Sequence, residues 1–141
     1  MRKTVCILVC CLYLSCQQQP KIPISNNLEI ALGDRYDEYI INLNKAYEND
    51  SISLSNFLKI DYINDAGGYD HGYVLFLLIK KLGDENFAKI LGKMDDKTIK
   101  NVYQYIEVGV DASDKNKNDL EKNYPKVIGL LKTRGWGGFL L

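Results

Sequence analysis

Apolar side chains recur every three or four residues along most of the chain beyond residue 26, and this spacing constrains the fold more than any other feature. Such a period places the apolar residues on one face of an α-helix, whereas a half-buried strand alternates at every second residue. Alternation of that kind is sustained nowhere. The sequence therefore predicts an all-α fold, a small bundle of about five or six helices within residues 26–141.

The first of these helices lies within residues 27–48, where one apolar stripe continues past Gly33. Either a single helix covers the whole range, or Gly33 breaks it and Asp34 caps a second start. A short helix follows, and Ser53 or Ser55 is the residue expected to cap it.

The segment from Tyr73 to Ile79 is apolar without interruption and is predicted to be the central element of the core. Asp70 as the N-cap and Gly83 as the C-terminal cap favour a buried helix over a buried strand. The preceding residues, 64–68, have the composition of a turn, so the helix is expected to begin near Asp70.

Three further helices complete the predicted bundle. Asp84 can cap the first of them and Asp95 or Asp96 the second, while the last is expected to restart or kink at Pro125. Between the last two helices, residues 112–118 are predicted to form a polar loop.

All the cysteines of the chain lie within its first sixteen residues. The rest of the chain therefore offers no pair for a disulfide, no thiolate ligand for zinc and no cysteine nucleophile, so its fold must rest on packing. The cysteines are Cys6, Cys10, Cys11 and Cys16.

The same sixteen residues have the layout of an export signal. Arg2 and Lys3 give a positively charged start, and an apolar run over residues 5–14 follows. This run is too short to cross a bilayer as a helix, which takes about 20 apolar residues. The sequence therefore predicts a cleaved signal peptide rather than a membrane-spanning helix.

Residues 12–16, LYLSC, resemble the lipobox of bacterial lipoproteins, in which a small residue precedes the cysteine that becomes acylated. One position departs from the family pattern, since Tyr13 stands where these proteins usually have Leu. The resemblance implies that residues 1–15 are removed and that Cys16 becomes a lipidated N-terminus that anchors the protein to a membrane. The alternative is an ordinary secretory signal, cleaved nearby, which leaves Cys16 unmodified or removes it.

The resemblance also implies a destination in the bacterial cell envelope. Lipoproteins without Asp directly after the cysteine are often passed to the outer membrane, and this chain has Gln17 at that position. Residues 16–25, which include Pro20 and Pro23, are predicted to form the lipidated cysteine and an extended tether to the helical domain.

The segment 67–73, GGYDHGY, is the predicted binding segment. Glycines let another backbone approach closely and tyrosines supply rigid contact area, so Tyr69, Asp70, His71 and Tyr73 are the predicted contacts to a protein partner. The alternative is a purely structural role. In that case Asp70 caps the helix, the glycines form a turn, Tyr73 belongs to the core, and His71 is exposed in the first helical turn.

Acid–base catalysis has less support in the sequence. Asp70 and His71 are neighbours, and neighbours on a helix point about 100° apart, so they do not face each other. Asp61 and Asp65 share a helix face if the preceding helix extends that far, which leaves a small hydrolase with paired carboxylates as an alternative. We assign no catalytic residue.

A metal site is also not expected. Asp114, Asn116 and Asn118 match the first ligand positions of an EF-hand calcium loop, but Asp119 occupies the glycine position and Pro125 the position of the bidentate carboxylate. The chain has one histidine, so a zinc motif built on a histidine pair is excluded as well.

The overall charge gives no reason to expect a nucleic-acid partner, because eighteen basic side chains balance eighteen acidic ones and form no basic cluster. The last residues, 136–141, have the unusually apolar sequence WGGFLL. They are expected either to dock on the core or to present an apolar patch to a membrane or a partner.

Together these features predict a lipid-anchored envelope protein that acts as a non-enzymatic protein-binding module. In architecture alone it is comparable to small lipidated inhibitors and immunity-type proteins. Its expected partners are the membrane, through the lipid, and another protein, and no cofactor is expected. The alternatives are a small cell-wall or glycan hydrolase and a structural subunit of an envelope complex.

Overall fold

The computed structural model describes residues 19–135, and all the regular secondary structure in that range is helical, which confirms the all-α prediction. The predicted signal peptide, Cys16 and the apolar run 136–141 lie outside the described residues. Within 19–135, no helix has both the length and the apolar character needed to cross a membrane. The helices are α1 (Asn26–Leu32), α2 (Tyr36–Tyr47), α3 (Ser51–Leu58), α4 (Asp65–Leu82), α5 (Asp84–Leu91), α6 (Asp96–Asp111), α7 (Asp114–Asn123) and α8 (Pro125–Leu130), with a 3₁₀ turn at Gly33–Arg35 and a π turn at Leu131–Gly135.

Gly33 and Pro125 interrupt two of the predicted helices. The structure therefore has more helical segments than the sequence predicts. Gly33 has a φ of 50°, a left-handed value that suits glycine, and it separates α1 from α2. Pro125 occupies the first turn of α8, where its missing amide hydrogen costs nothing, and α7 ends just before it. The break at Gly33 is therefore confirmed for residues 27–48. The prediction of Asp34 as the cap of the second helix is wrong, because Asp34 lies in the 3₁₀ turn and α2 follows Arg35 without a side-chain cap.

Aspartates cap the starts of two helices. The carboxylate of Asp95 accepts a hydrogen bond from the Thr98 amide at 2.7 Å, which confirms the predicted cap of α6. Helix α3 begins earlier than expected, because Asp50 accepts from the Ser53 amide at 2.7 Å, and the prediction of Ser53 or Ser55 as its cap is wrong. These backbone hydrogen bonds lower the pKa of both carboxyl groups.

Asp84 caps a different helix from the one predicted. Its carboxylate accepts hydrogen bonds from the amides of Lys126 at 3.0 Å and Val127 at 2.9 Å, so it caps α8 from the start of α5. Gly83, with a φ of 81°, precedes α5 directly and ends α4, the position predicted for it. The Asp84 carboxylate thus joins α5 to α8, and Lys126 lies 42 residues beyond Asp84 in the sequence.

The predicted polar loop over residues 112–118 is wrong. Helix α7 begins at Asp114, and the hydroxyl of Ser113 caps it by accepting a hydrogen bond from the Asn116 amide at 3.3 Å. Leu120 is the buried residue of this helix. A helix that buries so few side chains lacks apolar residues at every third or fourth position. Its sequence therefore resembles that of a loop.

Helix α4 begins at Asp65, so the prediction of a turn at 64–68 is wrong and Asp70 is not its cap. Its glycines serve close packing instead of turn formation. A Cβ atom on Gly72 would lie 1.7 Å from the carbonyl oxygen of Tyr105 in α6, and one on Gly67 would lie 2.5 Å from the Cβ of Ala31 in α1. Helix α4 is therefore the central element, with α1 and α6 packed against its glycines.

Candidate functional site

The predicted binding segment lies within α4, so its residues point to different sides of a helix. Tyr69 and Tyr73 are separated by four residues, which places them one above the other on one face. Their exposed fractions are 56% and 43% respectively, whereas His71 between them is 1% exposed. The structure therefore divides the segment into an outward pair of tyrosines and an inward histidine.

His71 belongs to a buried aromatic cluster. Its Nδ1 lies 2.9 Å from the hydroxyl oxygen of Tyr39 in α2, within hydrogen-bond distance. The Tyr105 ring meets the imidazole edge-on, with 4.7 Å between the ring centroids, and the Phe57 centroid is 5.3 Å away. Burial lowers the pKa of His71 to about 3, so the ring is neutral at ordinary pH.

This position corrects both interpretations of His71. A partner at the surface cannot touch a side chain enclosed by three aromatic rings, so the predicted contact role does not fit the folded domain. The alternative of an exposed histidine in a first helical turn is also wrong, because α4 begins six residues earlier, at Asp65. Burial also raises the pKa of Tyr39 well above its usual value, which keeps the hydroxyl protonated beside the imidazole.

Asp70 holds the start of α1. Its carboxylate accepts a hydrogen bond from the hydroxyl of Ser25, and that hydroxyl in turn accepts from the Leu28 amide at 3.1 Å. Asp70 thus acts through the cap of a neighbouring helix, and it remains partly exposed beside Tyr69. Asp70 can therefore contribute only to the edge of a contact surface that includes Tyr69.

The outward tyrosines belong to a longer surface, which we call the outer face of α4 and define as Tyr69, Tyr73 and Lys80. Phe76 lies between Tyr73 and Lys80, with its ring centroid 6.2 Å from that of Tyr73 and 5.3 Å from the Lys80 ammonium. The Lys80 ammonium also lies 2.8 Å from a carboxylate oxygen of Asp119. This hydrogen bond is the main reason that the pKa of Lys80 is raised, so the face ends in an ion pair of Lys80 with Asp119.

The carboxylates proposed for a hydrolase do not form a pair on one helix. Helix α3 ends at Leu58, so Asp61 lies in the connection to α4 and pairs with Lys97 at 3.2 Å, while Asp65 begins α4. The condition for a shared helix face, that the preceding helix reach Asp65, is therefore not met.

A polar cleft of about 310 Å³ lies between α2 and the end of α3. The guanidinium carbon of Arg35 lies 3.9 Å from the centroid of the Tyr62 ring, a cation–π contact that orients the arginine at the cleft. Among the described residues that line the cleft, Glu38 is the one with a carboxylate. A pair of carboxylates for glycoside hydrolysis is thus not assembled there.

The residues that resemble part of a calcium loop lie within α7, where the backbone is helical and does not wrap around a central point. Within residues 19–135, no three or more side chains of His, Cys, Asp or Glu are grouped so that they could hold a metal ion.

Asn44 has a role that the sequence analysis missed. It interrupts the apolar stripe of α2 and is 2% exposed, and its side-chain amide hydrogen-bonds the chain that precedes α1. Its Nδ2 donates to the Gln19 carbonyl at 2.9 Å, and its Oδ1 accepts from the Lys21 amide at 2.8 Å. A polar residue inside an apolar stripe was the available signal, since a buried amide needs partners.

The prediction of a tether that extends to Ser25 is therefore corrected. Besides the two bonds to Asn44, Ile22 is buried in the core and the Lys21 ammonium pairs with Glu48. Residues 19–22 are part of the folded domain because the amide of Asn44 satisfies their backbone and the core takes up Ile22.

No family model, no curated protein and no solved structure matches this chain.

Proposed function

We propose that this protein is a lipid-anchored envelope protein whose helical domain binds another protein through the outer face of α4. The observation that carries the proposal is the pair Tyr69 and Tyr73, two exposed aromatic side chains one turn apart on a helix that is fixed from behind. Tyrosines are enriched among the residues that dominate binding energy, because each buries a large ring and still offers a hydroxyl.

The rigidity of α4 favours such a role. Gly72 brings its backbone against the backbone of α6, and His71 is enclosed between α2, α3 and α6, so the helix is held on its inner side. A side chain that is already oriented loses less conformational freedom on binding than one on a loop. The two tyrosines therefore offer preorganised anchors.

The chemistry of the face indicates what the partner offers. Two phenol rings fit an apolar pocket with hydrogen-bond acceptors at its rim, and the ion pair of Lys80 with Asp119 at the end of the face fits a polar rim. The partner we expect is a protein with such a pocket, since the balance of eighteen basic and eighteen acidic side chains gives no reason to expect a nucleic acid.

The anchor is proposed from the resemblance of residues 12–16 to a lipobox, with Cys16 as the acylated residue and the outer membrane as the destination. Two or more acyl chains hold a protein on a membrane firmly, whereas one gives reversible binding. Radioactive palmitate should label the wild type and not Cys16→Ala. A Cys16→Ala protein that still carries the label contradicts the assignment.

The binding surface can be tested with a partner identified by crosslinking in cells and then purified. We expect the double variant Tyr69→Ala/Tyr73→Ala to bind this partner at least about tenfold more weakly than the wild type. Ile41→Ala is the matched control, because Ile41 is another exposed apolar residue, on α2, and its loss should leave the affinity unchanged. Equal affinities for the wild type and the folded double variant would refute the proposed surface.

A further inference from the structure

We infer that the end of the domain formed by the α2–α3 connection rests on the lipid headgroups, with Ile52 as its apolar contact. The inference rests on the proposed lipidation of Cys16 and adds an orientation to it. A domain on a long tether would sample all orientations, whereas this one is held by a very short link.

The first step is the point at which the chain becomes fixed. Gln19 and Lys21 are bonded to the side chain of Asn44, which is almost completely buried, and Ile22 is in the core. The Lys21 ammonium also pairs with Glu48 near the end of α2. Water does not compete well for hydrogen bonds to a buried amide, so this attachment persists in the folded domain.

The second step is the length of chain that remains. Two residues, Gln17 and Gln18, separate Cys16 from Gln19. Consecutive Cα atoms are 3.8 Å apart, so the Cα atoms of Cys16 and Gln19 are at most about 11 Å apart whatever path the chain takes. The acyl chains hold the cysteine at the membrane surface, and the headgroup layer is itself about 5–8 Å thick. Gln19 must therefore lie within or directly above the headgroups.

The third step is the surface beside this attachment. A shallow depression of about 640 Å³ is lined by residues from the end of α2 to the first turn of α3, among them Glu48, the partner of Lys21. Ile52, in the same lining, is 72% exposed, a high value for an apolar side chain. Lys45 and Asp50 also line the depression and bring one charge of each sign.

The charges around Ile52 are balanced, because two basic residues, Lys21 and Lys45, are matched by two acidic ones, Glu48 and Asp50. The surface therefore has no electrostatic preference for acidic lipid, and the apolar side chain with the polar groups around it suits a zwitterionic headgroup layer. The expected partner of this surface is a lipid membrane, and the lipid on Cys16 provides the affinity that Ile52 alone does not.

The experiment uses the lipidated protein in vesicles of dioleoylphosphatidylcholine that carry bromine on part of their acyl chains. Beyond Cys16, whose sulfur is consumed by the lipid, the chain has no cysteine, so Ile52→Cys can be labelled with a bimane fluorophore at a single position. Lys122→Cys is the control, because Lys122 is exposed on α7, which packs on α6 and α8. Bromine should quench the label at position 52 at least about twofold more than the label at position 122.

A second variant tests the role of the short link. Insertion of about ten Gly and Ser residues between Gln18 and Gln19 lets the domain move away from the membrane, and quenching at position 52 should fall to the level at position 122. Replacing about a third of the lipid with phosphatidylglycerol should leave the difference between the two positions in place.

The outcomes separate the two proposals. Lipidated wild-type protein that is vesicle-bound but equally quenched at both positions overturns the orientation alone, and so does an insertion that leaves quenching at position 52 unchanged. Protein that stays in the aqueous phase and carries no acyl chain overturns the proposed anchor together with this inference.

Discussion

Helix α4 has two sides of opposite character within five residues. His71 and Gly72 point inward, where the imidazole is enclosed by aromatic rings and the glycine backbone touches α6. Tyr69 and Tyr73 point outward and keep about half of their surface in water, with exposed fractions of 56% and 43%. The packed side and the exposed side of α4 are thus formed by different residues of one segment, so a variant can change one side without the other.

The largest effect is expected from Gly72→Ala. The new methyl group would lie 1.7 Å from the carbonyl oxygen of Tyr105 and 2.6 Å from its carbonyl carbon. Both atoms belong to the backbone, so helices α4 and α6 must separate to make room. We expect the free energy of unfolding to fall by at least about 3 kcal/mol, or the domain not to fold, as measured by urea denaturation followed by circular dichroism.

The matched control is Gly129→Ala in α8, where the added methyl group has no neighbouring atom within 4 Å. Alanine favours a helix over glycine by up to about 1 kcal/mol, so this variant should be as stable as the wild type or slightly more stable. If Gly72→Ala and Gly129→Ala unfold at the same urea concentration, α4 and α6 do not approach as described.

The second effect concerns pH and the inward side of α4. The folded pKa of His71 is lowered to about 3 by burial, whereas the unfolded chain has the usual value of 6.5. Below pH 6.5 the unfolded state therefore binds a proton that the folded state does not, and stability falls as pH falls. The slope should reach up to about 1.4 kcal/mol per pH unit between pH 6 and pH 4, measured by urea denaturation at each pH.

His71→Gln isolates this contribution, because glutamine does not titrate and can still hydrogen-bond Tyr39. The capping carboxylates Asp50 and Asp95 have lowered pKa values and also reduce stability as pH falls, but they do so in both proteins. The difference between the two pH profiles should therefore shrink as pH falls from 6.5 towards 3. Parallel profiles would show that the imidazole is accessible to protons in the folded state.

The sequence predicts the helical class and several helix ends because the signals for them are local. Gly83, Asp95 and Pro125 each act on the backbone within a few residues of their own position, through a left-handed φ, a cap or a missing amide hydrogen. Such signals can be recognised without any knowledge of the tertiary structure.

The residues that were misinterpreted depend on partners far along the chain. A glycine permits a turn and also permits a close helix crossing, and only the backbone of Tyr105 and Gly109 opposite Gly72 decides between them. The role of Asn44 likewise depends on its hydrogen bond to Gln19, which lies 25 residues away in the sequence. A turn at residues 64–68 would leave the histidine exposed or available to a partner, whereas a helix through this segment turns it inward.

The smallest effect on stability is expected on the outward side of α4. Tyr69→Ala/Tyr73→Ala removes two rings that each keep about half of their surface in water, and alanine, which is favourable in a helix, offsets part of the lost contact. The free energy of unfolding should therefore change by less than about 1 kcal/mol. Tyr39→Phe is the inward counterpart, since it removes a single hydroxyl but leaves the buried Nδ1 of His71 without that partner, at a cost of about 1–3 kcal/mol. Loss of one inward oxygen atom should thus destabilise the domain more than loss of two outward rings. If urea denaturation shows that Tyr69→Ala/Tyr73→Ala is less stable than Tyr39→Phe, the two outward tyrosines are structural residues. That result would contradict the proposal that the outer face of α4 is a binding surface.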